Sequence, residues 1–161
     1  MTDQMPNPAD YGMHGLCPHL VCTGAAAAMD WYIKGFGAVE IMRLPGPDGR
    51  LMHGSLQVNQ CMVMIADEFD DVLDAHRTAS PQSLGGTAVV IHMAVDDCDA
   101  WITRAEAAGA RVIVPAADQF WGDRYGQIED PWGHRWSIAT PKGAPVMGDE
   151  LVSAMNKAME G

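Results

Sequence analysis

Residues 18–41, PHLVCTGAAAAMDWYIKGFGAVEI, open with an apolar run, break at Thr23-Gly24 and continue as an alanine-rich segment ending at Gly37. Residues 90–113, VIHMAVDDCDAWITRAEAAGARVI, repeat that pattern with the break at Asp96-Asp97 and the helix ending at Gly109. An apolar run, a polar break and a helix closed by Gly-Ala predict a strand and a helix, glycine taking the left-handed position after the last turn. Each stretch is followed by two alternating runs around a tight turn, RLMHGSLQV-NQ-CMVMIAD and DRYGQIED-PWG-HRWSIAT, the pattern of paired strands. Aligning Gly54 with Gly126 sets His53 opposite Tyr125, Ser55 opposite Gln127 and Gln57 opposite Glu129.

The chain is therefore expected to be α+β, with two tandem βαβββ modules forming a U-shaped, barrel-like mixed sheet with helices outside. Two copies of a unit of about 70 residues argue for duplication about a pseudo-two-fold axis rather than a solenoid. The expected boundaries are a flexible arm at 1–14 and a duplicated domain at 15–141, built of modules 15–67 and 87–141. An acidic, then Ser/Pro/Gly-rich linker occupies 68–86, and a tail fills 142–161. In the tail, Leu151, Val152, Met155 and Met159 have helical spacing, which predicts a terminal helix against the body or a partner subunit.

Strand side chains alternate faces, so parity separates a core face from a second face. Val89, Ile91, Met93 and Val95 are assigned to the helix side, with Val90, His92 and Ala94 opposite. Cys17, His19 and Val21 share the second face of the first strand. His53, Ser55 and Gln57 share it on the third, Tyr125, Gln127 and Glu129 on the seventh, and Arg135, Ser137 and Ala139 on the eighth. That face is polar in nearly every strand.

His19 and His92 occupy matching positions of the repeat, which makes them the candidates for a metal or a proton-transfer pair. The competing reading of each is a hydrogen bond within a half-polar cleft. His53 and Glu129 are candidate bases or further ligands. Arg135 is a candidate anion contact or a surface ion pair. Asp130-Pro131-Trp132-Gly133 reads as a turn, with Trp136 and Ile138 directed to the core. Trp121, Trp132 and Tyr125 either wall a small-molecule pocket beside Gln127 or pack as core.

Composition narrows the partners. A formal charge of −11 repels phosphate backbones and anionic lipid, so neither nucleic acid nor a membrane is expected. No apolar run approaches the roughly 20 residues of a membrane span. Four cysteines without a Cys-x-x-Cys pair fit reduced core thiols in a cytoplasmic protein.

The motifs AAAAMDWYIKGFGA, PGPDGRLMHGSL, MIADEF, SPQSLGGT and DQFWGDRYGQIEDPWGHRWSIAT, spanning about Leu16 to Pro141, together resemble the glyoxalase, bleomycin-resistance and extradiol-dioxygenase (vicinal oxygen chelate) superfamily. More narrowly they are similar to its PhnB-like branch. The resemblance implies paired βαβββ modules around a cleft, often completed in a homodimer. It also implies a divalent metal chelating two adjacent substrate oxygens, with His, Gln or Glu ligands from the first, fourth, fifth and eighth strands. Those positions align with Cys17, Met64, Val90 and Ser137, none a usual ligand; His19 and His92 lie two residues further along their strands. Two functions stay open. One is a glyoxalase-like protein that binds and transforms a small oxygen-rich or anionic molecule, with one divalent metal or none: His19 and His92 hold metal or move protons, His53 or Glu129 is the base, and Arg135 orients substrate. The other is a non-catalytic protein that sequesters an antibiotic-type small molecule.

Overall fold

A computed structural model describes residues 8–11, 13, 15–69 and 78–160. The chain forms two compact units, residues 1–89 with 131–134, and residues 90–130 with 135–161. In the first, β1 (His19–Cys22), α1 (Ala25–Phe36), β2 (Val39–Pro45), β3 (Leu51–Val58) and β4 (Cys61–Asp67) give a mixed sheet of order β1-β4-β3-β2. A short helix α2 (Pro81–Leu84) follows within the expected linker, whose residues 70–77 lie outside the described residues, as does most of the expected N-terminal arm. In the second unit β5 (Val90–Ala94), α3 (Cys98–Ala107), β6 (Arg111–Asp118), β7 (Asp123–Glu129) and β8 (Arg135–Pro141) give the order β5-β8-β7-β6. The two sheets are the same mixed arrangement. Duplication is thus visible in connectivity, each half forming a four-stranded mixed sheet of the same order, as the βαβββ repeat predicts.

Each helix lies on its sheet because one strand position is glycine. A Cβ at Gly54 would stand 2.5 Å from Met29 Sδ of α1, and one at Gly126 would stand 2.5 Å from Ile102 Cδ1 of α3. The aligned glycines are where helix side chains sink onto the strands. Trp31, Tyr32 and Phe36 of α1 add edge-on and tilted ring contacts at 5.1 to 5.6 Å in the first core.

The helix N-termini are satisfied from the ends of equivalent strands. Gly24 offers no side-chain cap to α1, and Asp67 at the end of β4 accepts from Gly24 N, Ala25 N and Leu51 N at 2.6, 2.8 and 2.6 Å. In the second unit Asp97 caps Ala100 N, and Thr140 Oγ1, at the matching place in β8, accepts from Cys98 N at 2.8 Å. Four orphan donors open every helix, so both modules solve one requirement from one place.

The β7–β8 turn belongs to the first unit. Trp132 Nε1 donates to Thr23 O, His134 Nε2 to Val21 O and Gln82 Nε2 to Pro131 O, all at 3.1 Å. Trp132 also meets Trp31 edge-on at 6.3 Å. Trp132, half-buried, is therefore held within the first unit by a hydrogen bond and a ring contact.

Parity holds for most strands. Leu20, Cys22, Met93, Val95, Trp136 and Ile138 are buried, as assigned. Val89 departs from it, being 63% exposed, because it precedes β5 and escapes the pleat. Cys61 departs too. None of the four cysteines forms a disulfide, but Cys61 opens β4 beside the Asn59-Gln60 turn and is exposed, whereas Cys22 and Cys98 are core residues. The tail does form helix α4 (Gly148–Met159), in which no residue is fully buried and Leu151 and Ala154 are half-buried. Among the described residues no helix is long and apolar enough to cross a membrane.

Candidate functional site: the sheet faces opposite the helices

In the first sheet the face away from α1 carries His19, Met64 and Ser55 side by side, because the register pairs His19 with Met64 and Met64 with Ser55. His53 stands two residues from Ser55 on the same face, its Nε2 3.1 Å from Ser55 Oγ. The rings of His19 and His53 meet edge-to-face at 5.8 Å above β4, which runs between their strands. His19 thus finds its imidazole neighbour within its own module, from a residue the repeat had paired with Tyr125.

Partial burial, and then the positive charge His53 can carry, push the His19 pKa below its ordinary 6.5. The folded protein therefore resists protonation that the unfolded chain accepts. Stability from this site is complete above about pH 6.5 and declines as pH falls toward the depressed value. In an NMR titration the His19 ring is expected to change charge below the ordinary histidine value, and His53→Gln to move it part of the way back up. A midpoint unaffected by His53→Gln would remove the coupling.

The second sheet carries the matching row. Register places His92 beside Ser137 and Ser137 beside Gln127. His92 Nδ1 and Ser137 Oγ are joined at 2.9 Å, and Gln127 Nε2 donates to Tyr125 Oη at 2.6 Å. Trp121 meets the Tyr125 ring at 5.5 Å and donates its indole N–H to Asp123 Oδ2 at 3.0 Å. At the other end Glu129 takes Arg111 at 2.8 Å and Arg135 at 3.3 Å. Arg111 foremost, with help from Arg135, holds the Glu129 carboxyl below the usual carboxylate range. A carboxylate so held is a weak base, and its geometry suits it to fixing Arg135, whose side chain is 41% exposed.

Sequence reasoning missed Arg111 as the second partner of Glu129 and Ser55 as the partner of His53. Strand pairing decides the Arg111 contact, which has no local signature, whereas the Ser55 contact runs between neighbours two apart on one strand face and could have been found from parity. A hollow of about 320 Å³ lies elsewhere, at the start of α3, lined in part by Asp99, Asp118, Arg124 and Lys142. Within it Arg124 pairs with Asp99 at 2.8 Å and Lys142 with Asp118 at 2.7 Å.

The superfamily model described as Glyoxalase/Bleomycin resistance protein/Dioxygenase matches residues 16–138. The chain belongs to that superfamily. Uncharacterized proteins of Mycobacterium tuberculosis and Mycobacterium bovis are 47% identical to it over 146 residues, covering 91% of this chain and 85% and 95% of theirs. Among solved structures, TioX from Micromonospora sp. ML1 aligns with 26% identity and a TM-score of 0.61 over 79% of this chain and 99% of its own. A glyoxalase-related enzyme from Fulvimarina pelagi shares the fold at 19% identity and a TM-score of 0.63, over 84% of this chain and 99% of its own. A PhnB protein from Bacillus cereus shares it at 15% identity and a TM-score of 0.57, over 79% and 99%. Members of the superfamily bind small molecules, and this chain is a glyoxalase-like member of it.

The divalent ion implied by the superfamily does not fit the donors present. Of Cys17, Met64, Val90 and Ser137, valine has no donor atom and a thioether is soft, whereas hard divalent ions in oxygen chemistry take carboxylate and imidazole. Among the described residues no three His, Cys, Asp or Glu side chains gather closely enough to hold a metal ion.

Proposed function

We propose that this glyoxalase-like protein binds a small oxygen-rich or anionic organic molecule on the polar face of its second sheet. The observation that carries this reading is the row His92–Ser137–Gln127–Tyr125 beside the Trp121 ring: two hydrogen-bonded polar pairs next to an aromatic wall. Apolar surface with a few convergent polar groups is the usual composition of a small-molecule site. Arg135, held by Glu129, supplies a fixed positive end for a carboxylate. In this reading His92, poised on Ser137, moves a proton on the bound molecule, and Glu129 serves as anchor for Arg135. The protein acts in the reducing cytoplasm, consistent with four cysteines that form no disulfide. It does so as a homodimer, for which the outward apolar positions Val152, Met155 and Met159 of α4 speak.

A thermal-shift panel of α-keto acids, aromatic carboxylates and neutral aromatics tests this. A ligand at 100 times its Kd adds about 2.7 kcal/mol to the native state, a shift of several degrees. Carboxylates are expected to stabilise the protein, and Gln127→Ala and Arg135→Ala to abolish the shift while leaving the unliganded melting temperature close to wild type. No stabilisation by any member of the panel, or an equal shift in both variants, ends the proposal. Sedimentation velocity on the same samples reads the dimer; a single monomeric species at micromolar concentration overturns it.

The second reading, sequestration without chemistry, is favoured by the non-ligating residues at the superfamily's metal positions. It is expected to show stabilisation by neutral aromatics that survives Arg135→Ala and disappears in Trp121→Ala, with no ligand consumed.

A further inference from the structure

The first sheet carries chemistry that the small-molecule reading does not use. Where the superfamily places hard donors, this chain offers a thioether at Met64, and the register puts that thioether next to His19 on the same face. His53 completes the group, its ring 5.8 Å from that of His19. An ion about 2 Å from one nitrogen of each ring would stand about 3 Å from each centroid, so a bent bridge spans that separation.

The His19 side chain makes no hydrogen bond among the described residues, so its ring is free to turn a nitrogen inward. His53 keeps Nδ1 available while Nε2 is engaged by Ser55, the second contact that fixes the orientation of many metal-bound imidazoles. Met64 is half-buried, and Met62, on the same face two residues earlier, is buried. Met62 and Met64 thus form a thioether strip on β4 beside the two imidazoles. Two imidazoles and a thioether form a soft, low-coordinate set, which selects a monovalent soft cation over a hard divalent one.

We propose that His19, His53 and Met64 form a binding site for a monovalent soft metal ion, Cu(I) in the cell. The substitution that removes the divalent centre leaves a different one, built on β3 as well as on β1 and β4. This inference does not depend on the ligand proposed for the second sheet.

The test is anaerobic competition for Cu(I) against a chromophoric chelator, with Zn(II) run in parallel. A Cys17→Ser/Cys61→Ser background removes the two thiols that are not buried. One equivalent of Cu(I) is expected to bind and Zn(II) to bind far more weakly. Losing an outer partner alone costs metal sites about tenfold or more, so Met64→Leu, His19→Ala and His53→Ala are each expected to weaken Cu(I) at least that much. His92→Ala is expected to leave it unchanged. Met64→Leu preserves side-chain volume, so its fold is retained, and X-ray absorption on the Cu(I) form reads the loss of one sulfur neighbour directly. Cu(I) affinity that is absent, that persists undiminished in Met64→Leu and His19→Ala, or that falls with His92→Ala instead overturns the site. Ligand shifts on the second sheet that remain intact while Cu(I) binding fails would sink this proposal alone.

Discussion

Asp67→Ala is expected to lower the unfolding free energy by about 3–4 kcal/mol, since each buried donor left without a partner costs about 1–3 kcal/mol. Asp67 is 6% exposed and its two oxygens accept three backbone N–H groups, those of Gly24, Ala25 and Leu51. Gly24 is exposed, so water takes over that donor. Ala25 and Leu51 are 0% and 1% exposed, and nothing takes over theirs. The loss reaches three segments at once, because the same carboxylate ties the start of α1, the start of β3 and the end of β4. Asp67→Asn keeps one oxygen but turns an amide N–H₂ toward a backbone donor, and is expected to cost about half as much. Urea unfolding of the three proteins measures this. A loss below about 1 kcal/mol for Asp67→Ala would mean that the donors are satisfied some other way.

Gly126→Ala is expected to cost about 3 kcal/mol, the upper end for overpacking a filled core. The new Cβ would lie 2.5 Å from Ile102 Cδ1, 2.9 Å from Val114 O and 3.2 Å from Ala116 Cα. The isoleucine methyl can swing aside; the β6 backbone cannot without breaking pairing to β7. At Gly54 the neighbours are all side chains, Met29 Sδ at 2.5 Å, Ile65 Cγ2 at 2.8 Å and Leu51 Cδ2 at 3.0 Å. Gly54→Ala is therefore expected to cost less than Gly126→Ala despite the same first contact distance. Gly143→Ala, where an added Cβ meets nothing within 4 Å, is the control and should be near neutral. Calorimetric melting of the three variants ranks them, and equal losses at positions 54 and 126 would refute the distinction between backbone and side-chain obstruction. The consequence reaches function, because Tyr125 and Gln127 flank Gly126 on the proposed ligand face.

These two residues show how differently the molecule was written into its sequence. Gly126 was visible as the partner of Gly54 once the repeat was aligned, and only its reason, the approach of Ile102, waited for the structure. Asp67 had no such signal. Its partners lie 43, 42 and 16 residues away, and a carboxylate at a strand end opening an acidic stretch looks like any solvated charge. The same holds for Trp132 and His134. Their turn was recognisable from Pro131 and Gly133, but that its side chains serve β1 and the start of α1 follows from packing between distant segments.

Period and punctuation determined the rest. Alternation with period two, alanine-rich helical spacing and glycine stops are properties of neighbouring residues, so the sequence alone settled the two βαβββ modules, the polar face of each sheet, the buried Trp136 and Ile138, and the superfamily. Pairing of side chains across strands is not a local property. Register placed His19 against Met64 and His53, set His92 on Ser137, and turned Arg135 and Arg111 onto Glu129. Tertiary structure alone decided these, because a strand's parity tells which face a side chain takes, whereas its neighbour on that face depends on which strand lies beside it and at what offset.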